Sequence, residues 1–357
     1  MKRMLMRNGL GDFPRSPPQS VAVLRALKLG DLLCAVPALR ALRTAWPAAK
    51  IILIGLPWAQ AFAERYSDYV DGFRVFPGYP GLPEREPDIA GIPTFLREMQ
   101  AERFDLAIQL HGSGPFVNPL IMLMGARRSA GFYLPGDYCP DAELYCPWPE
   151  RGREVLRLLR LVEFLGLPAQ DARLDFPLRA EDFLALEALE GAEELRPGEY
   201  VCLHPGASVA ELRWPVEWFA AVGKALAGRG LRLILTGSAA EAELTTAVAR
   251  AIDAPVLDLA GRTTLGALAA LLSRTRLLVC NDTGVSHLAD ALEVPSIVLS
   301  TGDNPERWAP ADRRLHRVFT NTESVHLNDV VAQAEALSGL ATLRRSVAEN
   351  DASQKRS

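Results

Sequence analysis

The sequence predicts an α/β protein made of two doubly wound parallel-sheet halves. Three observations carry that prediction. Short apolar runs with the length and branching of buried strands alternate with helical stretches along almost the whole chain. The alternation breaks once, at a segment carrying Pro168, Pro177 and Pro197. Several runs also end in a polar, Gly-containing turn that opens directly into a helix. Parallel sheets place their ligands at such carboxyl ends, so the two halves are expected to face one cleft.

Taken in order, residues 1–20 are basic but have no continuous apolar core before their Pro-rich end. They read as a flexible arm rather than a secretory signal. The first half, 21–175, has strand-like runs at Val21–Leu27, Lys50–Leu56, Gly72–Phe76 and Phe104–His111. Helical stretches run over Asp31–Ala45, Trp58–Tyr66, Ile92–Glu102 and Arg153–Leu165, the last with Leu156, Leu159 and Val162 on one stripe. Residues 176–198 are expected as the linker, around a short helical piece, Glu181–Leu195.

The second half, 199–340, repeats the alternation. Its strands are Tyr200–Leu203, Leu231–Leu235, Val256–Leu259, Leu277–Cys280 and Ser296–Ser300. Its helices are Pro215–Ala227, Ala240–Ile252, Leu265–Ser273 and Gly284–Leu292. Leu327–Leu337 is a last helix, with packing back on the first half left open, and 341–357 reads as a disordered tail.

Bulk properties narrow the class. The 357 residues suffice for two cores, and 49% hydrophobic with 23% charged residues is the profile of a soluble globular protein. A net charge of −4 gives no general attraction to nucleic acid or anionic lipid, so no nucleic-acid partner is expected. No apolar run approaches the roughly 20 residues that cross a bilayer. The cysteines, Cys34, Cys139, Cys146, Cys202 and Cys280, are an odd set with three in apolar contexts, as for reduced cytosolic thiols. Cys139 and Cys146 could pair or bind metal, but no His or Cys cluster accompanies them, so no metal site is expected.

Four motifs carry chemistry. Lys28-Leu29-Gly30-Asp31 follows the first strand. Asp31 stands at a helix start, either as a carboxylate that accepts a proton from an attacking hydroxyl or as an N-cap. Leu10-Gly11-Asp12 repeats the tripeptide among prolines, with no strand or helix to frame it.

His204-Pro205-Gly206-Ala207-Ser208 leads into Arg213-Trp214-Pro215. Gly206 and Ser208 can line a phosphate and Arg213 neutralise one, while Trp214 and Trp218 are expected to pack. Leu235-Thr236-Gly237-Ser238 runs into a helix with Glu241 in its first turn, to accept from ribose hydroxyls or simply to answer the helix dipole.

The fourth is Asn281-Asp282-Thr283-Gly284-Val285-Ser286-His287. Strand, polar turn and helix N-terminus together make an anion site, with Gly284 admitting a phosphate to the backbone, Thr283 offering a hydroxyl and His287 one turn in. The bland alternative is a helix cap beside a packed histidine. The loops Leu259–Leu265, which holds Arg262 and Thr263, and Gly302–Trp308 flank this turn and could wall in a base and a sugar.

In order and spacing, Leu29-Gly30-Asp31 with Pro37-Ala38-Leu39, His204-Pro205-Gly206, and Asp282-Thr283-Gly284 with His287-Leu288-Ala289 resemble the bacterial heptosyltransferases, glycosyltransferase family 9. The likeness runs from about Val21 to Leu337. It implies a GT-B fold and inverting, metal-independent transfer of a heptose-like sugar from a nucleotide-diphosphate donor, ADP-linked in the family. The acceptor would be a hydroxyl of a lipopolysaccharide-core or other cell-surface glycan.

By the same resemblance Asp31 would be the general base. Ser208, Asp282, Thr283, Gly284 and His287 would contact the donor diphosphate and sugar, Glu241 the ribose, and Arg262 and Thr263 would lie along the nucleobase loop. Lys28, Gly30, His111 and Ser113 stand on the acceptor side, although His111 equally ends a strand with its ring packed. Arg127 and Arg128 are either acidic-glycan contacts or a solvated face.

No cofactor is implied, the place of action would be the cytoplasm, and peripheral attachment to the inner membrane through the acceptor stays open. One departure stands out. The family usually has Lys two residues before the Trp-Pro pair, where this chain has Leu212, with Arg213 one step along. Two rivals remain: a non-catalytic nucleotide-sugar binder and a nicotinamide-dependent oxidoreductase. The oxidoreductase lacks its Gly-x-Gly-x-x-Gly after a strand.

Overall fold

A computed structural model describes residues 17–169, 171–207, 209–300, 304–320 and 326–339. The chain forms two compact units, the first ending at Arg173 and the second beginning at Leu174.

In the first unit β1 (Ser20–Leu24), α1 (Leu29–Ala45), β2 (Lys50–Gly55), α2 (Gln60–Arg65), β3 (Gly72–Val75), α3 (Ile92–Glu102) and β4 (Leu106–Gln109) follow in turn. They are completed by α4 (Val117–Leu123), β5 (Arg128–Tyr133), β6 (Tyr145–Pro147) and α5 (Glu154–Phe164). The strands form one parallel sheet in the order β3-β2-β1-β4-β5-β6. Val21 lies opposite Ile51 on one side and Leu106 on the other. Residues 21–24 and 51–55 are buried without interruption, which is the reason these strands read as unbroken apolar runs rather than alternating ones.

The second unit repeats the plan. It holds α6 (Ala180–Glu187), β7 (Tyr200–His204), α7 (Val216–Ala227), β8 (Arg232–Leu235), α8 (Ala242–Ile252), β9 (Val256–Asp258) and α9 (Leu265–Arg274). Then come β10 (Leu277–Asn281), α10 (Gly284–Ala291), β11 (Ser296–Ser300), α11 (Pro305–Trp308), β12 (His316–Thr320) and a helix over 327–339. The sheet order is β12-β11-β10-β7-β8-β9. Numbered within its own half, each sheet reads third, second, first, fourth, fifth, sixth. The order therefore reverses between β1 and β4 in one unit and between β7 and β10 in the other. Doubly wound sheets bind ligands at such switch points.

The differences from the sequence reading have physical causes. β1 ends at Leu24, three residues early, because the chain turns over the sheet end at Ala26, whose N–H goes to the His111 ring. α4, β5, β6 and β12 were not visible in the sequence. Pro119 interrupts the first, Ser129 and Gly131 dilute the second, and β6 is three residues long. Residues 176–198 are not a bare linker. α6 packs on α9 within the second unit, and Leu186, Ala192 and Leu195 are buried. The last helix buries Val330, Ala334 and Leu337 in the second unit's own core with Val201 and Val279. Its i, i+4, i+7 stripe accounts for that.

All five cysteines are free, so Cys139 and Cys146 do not pair. Burial pushes the Cys202 thiol up to about 12, and Cys280 well above its usual value, as for inert interior thiols. Residues 1–16 of the expected arm, the tail, Ser208, and Gly302 and Asp303 of the expected loop lie outside the described residues, whereas Ser20 at the arm's end opens β1.

Candidate active site

At the first unit's switch point, Asp31 is not the helix cap. α1 begins at Leu29 with Lys28 in the N-cap position, and no side chain caps the helix there. Asp31 sits in the first turn with its side chain 23% exposed, and its Oδ1 accepts from Arg25 Nη2 at 3.4 Å. Arg25, the residue after β1, is 1% exposed. Its Nε donates to the Asp31 carbonyl at 3.1 Å, Nη1 to the Leu110 carbonyl, and Nη2 also to Glu154 Oε1 at 3.0 Å. Glu154 opens α5 and is buried between Arg25 and Arg157, whose Nη1 lies 3.9 Å from its Oε2. The sequence reading did not single out Arg25, Glu154 or Arg157.

The acceptor-side expectations divide. Gly30 is buried in the turn, Lys28 is exposed and Ser113 half-buried. His111 is the packed ring, not an open contact. Its Nδ1 accepts the Ala26 N–H at 3.2 Å, and Nε2 faces Glu84 Oε2 at 3.4 Å. Glu84 sits lower than its ordinary value: burial raises it, but the His111 hydrogen bond and charge prevail. Arg127 and Arg128 are paired with acids, Asp105 for the first and Asp141 and Glu143 for the second. A groove of about 690 Å³ lies at the far edge of this sheet, between α2, β3 and α3, and holds none of the expected site residues.

The second unit's switch point is tied together by Asn281, fully buried at the end of β10. Its Oδ1 accepts the Trp214 N–H at 3.1 Å, and its Nδ2 donates to the carbonyls of Pro205 at 2.7 Å and Gly206 at 3.3 Å. One amide thus fixes the His-Pro-Gly loop and the Trp-Pro entry to α7 beside the Asp-Thr-Gly turn. Trp214 and Trp218 do pack, edge to face at 4.7 Å.

In that turn, Thr283 is the N-cap of α10, yet its hydroxyl caps nothing. Oγ1 is buried without a hydrogen-bond partner, beside the helix's first N–H groups. Gly284 opens the helix, and the Ser286 N–H and hydroxyl both go to the Thr283 carbonyl. The Asp282 carboxylate, whose charge would repel a diphosphate, instead accepts from Ser300 Oγ at 2.9 Å. His287 is buried in the first turn with its ring edge-on to Trp308 at 6.0 Å.

Around this mouth the other expected residues have defined partners. Glu241 Oε2 accepts from the Ser238 N–H at 2.7 Å and hydroxyl at 2.8 Å, closing a capping box, so the structural explanation of this acid is realised. Its Oε1 lies against Gly206, where an added Cβ would fall 2.1 Å away. Arg213 donates from Nε and Nη2 to the Ala207 carbonyl, so its fork shapes the loop. Arg262 turns away to the Asp258 and Glu190 carbonyls, whereas Thr263 is half-buried on the loop that Gly261 holds to Gly237. His204 Nδ1 meets Thr236 Oγ1 at 3.0 Å. Burial holds His204 below its ordinary value, against the pull of the Glu241 charge. Among the described residues no group of three or more His, Cys, Asp or Glu is placed to hold a metal ion.

Two Rossmann-like units in one chain, each with its candidate turns at the switch point and one opening on a helix N-terminus, have the architecture of the GT-B class of glycosyltransferases. The chain belongs to glycosyltransferase family 9 (heptosyltransferase), whose family model matches residues 94–335. It is 24% identical over 324 residues to lipopolysaccharide heptosyltransferase 2 of Salmonella typhimurium, spanning 84% of this chain and 88% of the relative. In structure it is similar to the glycosyltransferase family 9 protein of Veillonella parvula, with a TM-score of 0.76 at 21% identity, covering 90% of this chain and 97% of that one. It is also similar to the ADP-heptose lipopolysaccharide heptosyltransferase II of Escherichia coli, with a TM-score of 0.72 at 20% identity, covering 89% and 98%.

Proposed function

We propose that the chain moves a heptose-like sugar from an ADP-linked donor to a hydroxyl of a lipopolysaccharide-core acceptor, with inversion and without a metal ion. The observation that carries this is that neither Asp31 nor Thr283 spends its side chain on capping its own helix. Asp31 keeps a partly exposed carboxylate in one unit, and Thr283 an unpartnered hydroxyl in the other. Family membership and the relatives' names supply the sugar and the nucleotide.

In this reading the Asp31 carboxylate takes the proton of the acceptor hydroxyl as its oxygen bonds to the anomeric carbon. The bond from that carbon to the donor's phosphate oxygen breaks, and ADP leaves with the electron pair. Its charge is met by the first N–H groups of α10 and the helix dipole, with Thr283 beside them as a contact for the bound diphosphate. Acceptor attachment, not a membrane segment, would bring the protein to the inner membrane from the cytoplasm. Among the described residues no helix is long and apolar enough to cross a membrane.

A second reading, a non-catalytic binder of the same donor, draws on Leu212 and on the commitment of Arg213 to Ala207. The test is incubation with ADP-heptose and a lipopolysaccharide-core acceptor in excess chelator, with the anomeric configuration of the product read by NMR. Inverted product at an unchanged rate supports the proposal. Retention, or loss of activity with the chelator, contradicts it, and donor binding without turnover favours the binder.

A further inference from the structure

Asp31 does not stand alone at its switch point. Resting on the reading of Asp31 as the base, we propose that Arg25 is its positioning residue and that Glu154 sets how much of the guanidinium charge the base feels. Arg25 grips Asp31 by both its carbonyl, at 3.1 Å, and its carboxylate, at 3.4 Å, which fixes the first turn of α1 and the side chain together. A planar fork can do this and a lysine cannot. With Nη1 on the Leu110 carbonyl, the guanidinium is also anchored to the end of β4, so the base is held to both strands of the switch point.

Burying such a cation needs a counter-charge, and the nearer one is not the base. Glu154 Oε1 lies 3.0 Å from Nη2 against 3.4 Å for Asp31, and it is 1% exposed where Asp31 is 23%. Glu154 is therefore the closer and more deeply buried counter-charge to Arg25, which Asp31 shares with it. Other described charges stand close by. Arg157 lies beyond Glu154 at 3.9 Å, the exposed Lys28 precedes α1, and His111 behind Ala26 is paired with Glu84.

The test is the pH dependence of kcat in two variants. In Glu154→Gln the Arg25 charge falls undivided on Asp31. The acid limb of the profile moves to lower pH by about half a unit or more and the plateau drops about tenfold, with donor KM unchanged. In Arg25→Met with Glu154→Gln both charges of the buried pair are gone, a replacement folded proteins often tolerate, and the limb moves the opposite way. Opposite shifts are the expected result, because a purely structural role moves stability but not the limb.

Limbs that coincide with the parent's in folded variants overturn the proposal. Failure of both variants to fold also overturns it, since that assigns the network to the fold. Asp31→Asn is run alongside. If it keeps the parent's turnover, the base assignment itself is wrong. If it loses turnover while the limbs stay put, only the role of Arg25 and Glu154 falls.

Discussion

At the switch point of the first sheet the charges Arg25, Asp31, Glu154 and Arg157 pair with one another around a buried guanidinium. At that of the second sheet the charges are kept off the helix mouth. Asp282 is turned to Ser300, Glu241 to Ser238 and Arg213 to Ala207, while Thr283 at the start of α10 keeps a hydroxyl without a partner. The same strand order thus carries two electrostatic solutions. A proton acceptor needs a carboxylate whose surroundings leave it basic. A diphosphate needs fixed dipoles, which attract an anion without burying a cation when the site is empty.

The comparison breaks most visibly at Asp31. Asp31→Asn is expected to lower turnover by about 10²- to 10⁴-fold, the usual worth of a positioned base, in a steady-state assay. Next is Gly206→Ala. Its Cβ would meet Glu241 Oε1 at 2.1 Å, so the carboxylate must leave Ser238 and the loop must shift. ADP affinity measured by calorimetry should fall about tenfold or more, about 1.4 kcal/mol.

Asn281→Leu strands the Trp214 N–H and the Pro205 carbonyl inside the unit and should cost about 2–4 kcal/mol in urea unfolding. Thr283→Val removes only a hydroxyl that has no hydrogen-bond partner. Stability should hold or rise slightly while ADP binding weakens about fivefold, about 1 kcal/mol.

The smallest effect is His204. Its folded value lies below 6.5, so as pH falls the unfolded chain takes the proton first. Its contribution to stability is full above about pH 6.5 and is lost below it. His204→Gln should flatten that part of the stability–pH curve.

The candidate residues legible in the sequence were those with a local signature. Asp31 and the Asp282-Thr283-Gly284 turn announce themselves by a strand before and a helix after, and the fold class follows from the same alternation. The residues that organise them were not legible, because their contacts span the chain. Arg25 meets Glu154 across 129 positions, and Asn281 meets Pro205 across 76. A lone Arg after a strand, or an Asn at the end of one, has no local signature. Arg262 and His111 show the complementary case. A charged or imidazole side chain on a site loop reads as a ligand contact, and only the fold shows that one turns to backbone carbonyls and the other is held between Ala26 and Glu84.

The most direct measurement of this division of labour is ADP affinity and saturated turnover determined side by side for Asp31→Asn and Thr283→Val. Asp31→Asn should keep the parent's ADP affinity and lose turnover by about 10²-fold or more. Thr283→Val should lose affinity and stay within a few-fold of the parent's turnover at saturation. If either variant loses both quantities together, the two switch points do not divide chemistry from anion binding, and the account is contradicted.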